Sequence, residues 1–334
     1  SSLIDRSGAD LWITAARVPY IEQGVAFSER KLYPVLSTPG VAQATKYITR
    51  FSQWQRPDGR QESVQIVGFD PVEGSSVPLG GPWNVVEGNP ADLKTADNVF
   101  IDELYKEKLG VTHLGQVVEI RGHRARVVGW TRGIRSFTTS PYVFTSFKNA
   151  QDYANVPEDQ TIFILVKAAP GVSLDVLRQR LLASLRDVDI RTGPEFSRMT
   201  QFYWMFTTGA GVAVLLAAVL GLVVGVVIVA QTIYATTVDH LREYGTLKAM
   251  GATNAYLYRV IIQQALISAV AGYIVAMIVS RFVVQGSQKG GAAILLPTPV
   301  AAAMLGVTIV MCIAAALVSI NKVTRLDPAM VFKG

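Results

Sequence analysis

Three long stretches of the sequence contain no charged residue: 199–238, 260–280 and 290–321. Each has at least the roughly 20 residues that an α-helix needs to cross the ~30 Å hydrocarbon core of a bilayer. Their centres consist mainly of Val, Leu, Ile and Ala. Three such stretches in succession are typical of membrane spans, and much less so of buried helices in a large soluble core. We predict spans at about 207–236, 257–281 and 299–320.

Charge divides the chain into two parts. Residues 1–204 carry 23 Lys and Arg against 22 Asp and Glu, whereas residues 205–334 carry 8 against 3. The first part therefore has the charge content of a water-soluble domain. Most of the net charge of +6 lies beside the apolar stretches. This distribution excludes a single soluble domain, and it also excludes nucleic-acid binding as the reason for the basic charge balance.

The positions of Lys and Arg predict the orientation of the spans. The loop between the first two spans and the tail after the third lie on one side and carry six positive residues: Arg242, Lys248, Arg259, Lys322, Arg325 and Lys333. The loop between the second and third spans carries two, Arg281 and Lys289. We expect the six-residue side in the cytoplasm and residues 1–197 outside it. An external domain needs an upstream signal or span, so we expect a fourth span before Ser1.

Residues 1–197 have the pattern of an α+β domain. Alternating and β-branched runs predict strands at 9–14, 42–51, 62–69, 116–120, 125–130 and 161–167. Helices are predicted at 27–36, 99–109 and 174–185, the last with Leu at three- and four-residue spacing behind Ser173. The predicted fold class is therefore an α-helical membrane protein with a large α+β extracytoplasmic domain.

The first apolar stretch is longer than a bilayer requires. Its 40 residues would form a helix of about 60 Å at 1.5 Å per residue. We predict that Phe202, Tyr203 and Trp204 form an interfacial belt and that the helix continues as a stalk to the external domain. An aromatic loop packed on that domain is the alternative. Small residues four apart predict close helix packing, within the chain or between two copies: Gly221 with Gly225, and Ser268 with Gly272.

The sequence contains no motif of a known catalytic site. GxxxxGK[ST], GxSxG and HExxH are absent, the three His residues are scattered, and the single Cys lies in an apolar stretch. We therefore predict no catalytic residue, no metal site and no directly bound cofactor. A basic cluster either contacts an anionic lipid or partner, or forms a solvated surface: Arg121, Arg124, Arg126, Arg132 and Arg135.

The segment 238–254, VDHLREYGTLKAMGATN, joins the first two spans. It mixes charged residues with apolar residues at helical spacing, and Gly251 follows as a predicted C-cap. A short amphipathic helix outside the bilayer needs a surface to lie against. That surface is either the membrane interface or a cytosolic protein.

The run VDHLREYGTLKAMGA closely resembles the cytoplasmic coupling segment of FtsX/MacB-type ABC transporter permeases, and most closely that of the DevC-like group. The order of external domain, two spans, short loop, last span and basic tail with Asp327-Pro328 is similar to that family. So are ERKLYPVL (29–36), QIVGFDP (65–71) and EFSRMTQFYW (195–204). The family has a first span ahead of its external domain, as expected here before Ser1. Gly245 stands where the DevC-like group more often has Ala.

The resemblance implies a non-catalytic subunit of the bacterial inner membrane. It implies a MacB-like periplasmic domain at 1–197 and an FtsX-like permease domain at 198–334 with a cytoplasmic tail at 321–334. A separate ABC ATPase would hold ATP and Mg and contact the coupling segment at Leu241, Arg242, Glu243, Tyr244, Gly245, Leu247, Lys248 and Gly251. The other implied partners are a membrane-fusion adaptor, a TolC-like channel, membrane lipid and a second copy of the chain.

Two functions are compatible with that resemblance. The first is export of lipid, glycolipid or another amphiphile, driven by the ATPase. The second is FtsX-like signalling without transport, in which the protein regulates an external cell-wall hydrolase. The long external domain and the DevC-like coupling segment favour export.

Overall fold

The computed structural model describes residues 2–71, 78–136, 140–289 and 296–323. It divides into two compact units, Ser1–Gly209 and Ala210–Gly334. Within the described residues the strands are β1 Leu11–Ala15, β2 Phe27–Ser28, β3 Val41–Gln55, β4 Gln61–Phe69, β5 Val85–Glu87, β6 Asn98–Asp102, β7 Val117–Ile120, β8 His123–Thr131, β9 Tyr142–Ser146, β10 Gln160–Thr161, β11 Phe163–Ala168 and β12 Val188–Thr192.

Six α-helices lie in the first unit and four in the second, among the residues described. They are α1 Ser2–Arg6, α2 Leu32–Leu36, α3 Lys106–Leu109, α4 Phe147–Ala154, α5 Leu174–Ser184, α6 Gly193–Phe202, α7 Ala210–Asp239, α8 Leu241–Ala249, α9 Asn254–Lys289 and α10 Thr298–Val323. Short 3-10 turns occupy Ile21–Gln23, Glu29–Lys31, Pro90–Lys94 and Glu103–Tyr105, and a π-helical turn occupies Tyr203–Thr207.

One mixed sheet organises the first unit. Its strand order is β12-β1-β11-β3-β4-β9-β6-β8-β5, and β7 pairs with β3 and β8. Most pairs are antiparallel, but β4 with β9 and β6 with β8 are parallel. The last six residues of β4 and all five of β6 are buried. Continuous burial of this kind is expected of strands covered on both faces.

Each face of the sheet carries its own hydrophobic core. One core surrounds Trp12, whose ring meets those of Tyr47, Phe163 and Phe196 at centroid distances of 5.5 Å. The other lies beneath α5, where Leu177 and Leu181 are fully buried with the β-strand residues on that face. The Leu spacing that predicted α5 is confirmed, because those two leucines lie one turn apart on its buried side.

Two predicted helices of the first unit are wrong in part. Residues 98–102 form the central strand β6 because their apolar side chains pair with β8 and β9 across the sheet. The predicted helix at 99–109 begins only at α3, although Gly110 ends it in the left-handed conformation, as predicted (φ 67°). In the predicted helix at 27–36, Phe27 and Ser28 pair with β10 instead. The predicted strands are confirmed, with shifted ends.

The second unit contains three helices that are long and apolar enough to cross a membrane, among the residues described. They are Gly211–Thr236, Tyr258–Ser287 and Thr298–Leu317, and they overlap the three predicted spans with shifted ends. Helix α10 packs against both α7 and α9. The residues buried between these helices are mostly small, as membrane helix packing requires: Ala265, Ala269, Cys312, Ala315 and Ala316.

The four small residues that predicted close helix packing differ in their surroundings. A side chain added at Gly225 would meet Met311 Sδ at 3.3 Å, so this glycine does allow α7 and α10 to approach. Gly221 and Gly272 face no described atom within 4 Å, and Ser268 is exposed. Close packing within the chain is therefore not observed at these three positions among the residues described. An interface between two copies stays a prediction for them.

The segment that joins the two units is not the continuous helical stalk that the sequence predicts. The helical chain breaks at Thr208 and Gly209, because Gly209 adopts the left-handed φ of +74° that ends a helix. Helix α6 belongs to the first unit, which extends to Gly209 and so past the predicted boundary at 197. Phe196 of α6 is fully buried. Thr192 and Glu195 form a capping box at the start of α6.

The aromatic belt residues lie in this junction segment. The Tyr203 ring stacks on Tyr20 with centroids 3.8 Å apart, and Trp204 Nε1 donates to Glu22 Oε2 at 3.2 Å. Phe202 is exposed. Tyr203 and Trp204 thus pack on the external domain, as in the alternative interpretation, although within a helical turn rather than a loop. Their interfacial role stays a prediction.

Candidate coupling site

Helix α8 is held between two spans by very short connections. Only His240 separates it from α7, and Met250, Gly251, Ala252 and Thr253 separate it from α9. The His240 N–H donates to the Thr236 carbonyl at 3.2 Å, so the turn continues the hydrogen bonding of α7. With so few connecting residues, a displacement of α8 must move the ends of both flanking helices.

The end of α8 is capped as the sequence predicts. Gly251 has a φ of +97°, and the Ala252 N–H donates to the Leu247 carbonyl at 3.0 Å. This bond belongs to the Schellman motif, which satisfies the last carbonyls of a helix. Helix α9 then begins behind Thr253, which accepts a hydrogen bond from the Tyr256 N–H. The two caps fix where α8 stops and where the second span starts.

The polar side chains of α8 that the structure describes are accessible. Arg242 and Glu243 are exposed, the Glu243 side chain by 72%. His240 Nδ1 lies 3.1 Å from Glu243 Oε2, and the Thr246 hydroxyl donates to the Glu243 carbonyl at 2.7 Å. Gly245 and Leu247 are half-buried. The helix therefore presents an exposed charge of each sign next to a partly covered apolar side.

Met250 follows α8 directly and does not belong to the predicted contact set. Its side chain is 76% exposed at the turn after α8. It continues the apolar spacing of the helix three residues beyond Leu247, and that spacing is the signal from which it could have been included. An unbranched, polarisable side chain at this position suits an adaptable groove.

Some predicted contact residues can be placed only along the chain. Leu241, Tyr244 and Lys248 belong to α8, but their side chains lie outside the part of the chain that the structure describes. Of the predicted tail at 321–334, only residues 321–323 belong to the described end of α10. In the ranges described, no three His, Cys, Asp or Glu side chains lie together so as to hold a metal ion.

Comparison with known families decides the class of protein. The MacB-like periplasmic core domain matches residues 1–184, and the FtsX-like permease C-terminal domain matches residues 215–328. The first match alone covers more than half of the 334 residues. The chain belongs to the MacB/FtsX-type ABC transporter permeases.

Relatives of this permease include an uncharacterized ABC transporter permease of Mycobacterium tuberculosis, in strains CDC 1551 and H37Rv. It is 24% identical over 338 residues, which cover 99% of this chain and 86% of the relative. The periplasmic region of MacB from Actinobacillus actinomycetemcomitans aligns with a TM-score of 0.41 at 12% identity, over 60% of this chain and 98% of that one. The extracellular domain of the noncanonic ABC-type transporter YknZ from Gram-positive bacteria gives 0.40 and 12%, over 55% and 98%.

Family membership indicates on which side of the membrane helix α8 lies. The membrane-spanning helices together with the MacB-like periplasmic domain make this permease an inner-membrane protein. Because the periplasmic unit precedes the first of these spans, helix α8 follows that span on the cytoplasmic side. Family membership also implies an ATPase partner there.

Proposed function

We propose that helix α8 is the docking element for a separate cytoplasmic ABC ATPase, and that ATP-driven motion of α8 moves the spans and the periplasmic domain to export a lipid or other amphiphile. The observation that carries this proposal is the short, capped connection of α8 to both α7 and α9. A surface helix without such connections would swing when pushed, whereas this helix transmits displacement to two spans at once. The permease itself contributes no catalysis, and ATP and Mg bind the partner.

The exposed charges are the specific part of the contact. Arg242 and Glu243 are available for charge-assisted hydrogen bonds, which are roughly twice as strong as neutral ones. Met250 supplies an apolar anchor of the kind that carries much of the binding energy in protein interfaces. Leu241, Tyr244, Gly245, Leu247, Lys248 and Gly251 complete the proposed contact.

Glu243→Lys tests the docking role. We expect it to abolish both the stimulation of the ATPase by the permease and export, because the ATPase groups that bind a carboxylate would then face a cation. The measurement is ATP hydrolysis by the ATPase with the full-length permease in nanodiscs. Glu87→Lys, an exposed carboxylate of the periplasmic unit, is the matched control and leaves stimulation unchanged. Normal stimulation of ATP hydrolysis by a membrane-inserted Glu243→Lys variant would contradict the proposed docking role of α8.

Met250 allows a graded version of the same test. Met250→Ser removes the anchor and is expected to weaken ATPase binding roughly tenfold, equivalent to about 1.4 kcal/mol. Met250→Leu keeps the apolar volume and restores binding. The measurement is the affinity of the purified ATPase for the permease in detergent. Equal affinities for the serine and leucine variants would remove Met250 from the interface.

A pull-down from mild detergent tests the remaining partners. We propose that a second copy of the chain, a membrane-fusion adaptor and a TolC-like channel assemble with the permease. Their recovery together with the ATPase, and loss of an exported lipid in a deletion strain, is the expected result. Recovery of a cell-wall hydrolase, with unchanged lipids in the deletion strain, would instead establish FtsX-like signalling.

A further inference from the structure

The periplasmic unit contains a cavity of about 340 Å³ beside the segment that leads into the first span. This volume falls within the roughly 300–1,000 Å³ of small-molecule sites. Glu22, Arg135, Tyr142, Trp204 and Met205 are among the residues that line it. Glu22 lies in the 3-10 turn Ile21–Gln23, Arg135 in the segment after β8, and Tyr142 in β9. Trp204 and Met205 belong to the π-helical turn Tyr203–Thr207. Single π-helical turns occur frequently at functional sites.

Arg135 gives the cavity a positive charge that forms no ion pair with a described carboxylate. Its Nη1 atom is buried and has no hydrogen-bond partner among the residues described. No ion pair joins the guanidinium to a carboxylate in the described ranges, whereas the nearby Arg132 is exposed and paired with Glu103. A buried donor on a charged group is costly without an acceptor. An acceptor with negative charge would remove that cost.

Glu22 does not supply that acceptor. Its Oε2 accepts from Trp204 Nε1 at 3.2 Å, and it forms no ion pair with Arg135. Burial raises the pKa of the Glu22 carboxyl, so the neutral form is favoured relative to a free glutamate. Arg135 is therefore left without a carboxylate partner among the described residues of the cavity, which favours a ligand with a negatively charged acceptor.

The remaining wall of the cavity is largely apolar. Trp204 is half-buried, Tyr142 is buried, and Met205 is 52% exposed although it belongs to a soluble unit. Met205 precedes the first span, which starts at Gly211, by only six residues. One cation next to an apolar wall is the arrangement that suits a molecule with one charged end and one hydrocarbon end.

We propose that this cavity binds a single-chain anionic amphiphile, with a headgroup oxygen accepting from the Arg135 guanidinium and the chain against Trp204 and Met205. The proposal rests on the export function proposed above and deepens it by giving the chemical class of the substrate. Both a free fatty acid and an anionic lysophospholipid from the outer leaflet have this chemistry.

Fluorescence quenching by brominated probes tests the proposal on the full chain. The five Trp residues all lie in the periplasmic unit, and Trp204 is the one that lines the cavity. With the permease in phosphatidylcholine nanodiscs, an ω-brominated fatty acid added from solution is expected to quench saturably. The matching brominated alcohol and trimethylammonium compound should bind at least roughly tenfold more weakly, because they lack the charge-assisted hydrogen bond. A brominated lysophosphatidylglycerol placed in the leaflet distinguishes the lipid source from the soluble one.

Variants locate the quenched residue and the charge. Trp204→Phe should lose the saturable quenching, whereas Trp83→Phe, at a half-buried tryptophan away from the cavity, should keep it. Arg135→Gln should weaken binding at least roughly tenfold, Arg135→Lys should restore part of it, and Arg132→Gln should leave it unchanged. Equal quenching by the three probes, or full binding by a folded Arg135→Gln variant, would overturn the proposal. Because no ATPase is present, such a failure leaves the coupling role of α8 untouched, and Glu243→Lys should not alter quenching.

Discussion

The two units of this permease place large apolar side chains in opposite ways. In the periplasmic unit, leucine, isoleucine and phenylalanine from both sheet faces are fully buried. In the membrane unit, side chains such as Val214 and Leu216 are 70% and 58% exposed, and the buried positions hold mostly alanine. Lipid is as apolar as leucine, so burial of large side chains brings no gain there, and close approach of small ones decides packing.

The hydrogen-bond partners of polar side chains also differ between the two units. Asp102 in the periplasmic unit accepts from the Thr131 hydroxyl and the Ile134 N–H, which lie 29 and 32 residues further along the chain, and from the nearby Leu104 N–H. In the spans, Thr232 and Thr308 donate to carbonyls one turn earlier in their own helices. Since the bilayer core offers no water, these two hydroxyls find their acceptors within their own helices. The Asp102 carboxylate is thus satisfied mainly by distant donors, and the two span hydroxyls by acceptors one turn away.

Matched glycine substitutions should show the largest contrast. A Cβ at Gly68 would lie 2.1 Å from the Ala150 Cβ across the β4–α4 contact. Gly68→Val is therefore expected to destabilise the periplasmic unit by about 3 kcal/mol or more. Gly272→Val should have little effect on the folding of a single chain, because no described atom lies within 4 Å.

Thermal unfolding followed by tryptophan fluorescence measures the first variant, because all tryptophans lie in the periplasmic unit. Far-UV circular dichroism of the full chain in detergent measures the second. Similar losses for both variants would break the distinction between the two units. A change in oligomeric state of Gly272→Val alone would support its predicted place at an interface between copies.

Removal of a polar partner should give the next largest effect. Asp102→Ala leaves two N–H groups and a hydroxyl without their acceptor, at an expected loss of about 2–3 kcal/mol. Tyr273→Phe removes the 2.7 Å hydrogen bond to the Ala301 carbonyl between α9 and α10. Such bonds in membranes contribute about 0.6 kcal/mol on average. Urea unfolding of the periplasmic unit measures the effect of Asp102→Ala, and protease resistance of the spans measures that of Tyr273→Phe. A larger loss of stability in Tyr273→Phe than in Asp102→Ala would contradict the comparison.

Gly251→Ala probes the most constrained turn of the membrane unit. At a φ of +97° an alanine is strained even though the space around it is open. The expected cost is about 1 kcal/mol, and ATPase binding should weaken by up to roughly fivefold. Gly286→Ala, in the interior of α9 with open space around it, is the control and should bind normally. Unchanged ATPase affinity of Gly251→Ala would show that docking does not depend on the cap.

The pH dependence of stability should give the smallest effect and should arise in the periplasmic unit. Burial raises the pKa of Glu22 and of Asp70 in the folded protein. The folded state therefore holds these protons more tightly, and its stability is greatest below their unfolded pKa values and falls as pH rises through the folded ones. Glu22→Gln should flatten this fall in the melting temperature. Glu87→Gln, at an exposed carboxylate, should leave the slope unchanged, and a steeper slope in Glu22→Gln would contradict the assignment.

Several elements were predictable because their signals are local. The Leu spacing of α5 reflects which side of that helix faces a core. Residues 99–102 were predicted as helix because a short apolar run is compatible with both structures. Pairing with β8 and β9, from distant parts of the chain, decided for the strand. The break in the helix at Gly209 could not be predicted from the sequence either, since glycine is also common inside membrane helices.

The sequence by itself determined the three spans, the periplasmic unit, helix α8 and its Gly251 cap. These follow from the solvent that each segment requires and from hydrogen bonds within a few residues. Only the tertiary structure decided the order of the sheet, the exposure of Met250 and the cavity that joins Glu22, Arg135 and Trp204. Each of those depends on which distant segments meet, and local side-chain pattern carries no information about the partner across a sheet or a cavity.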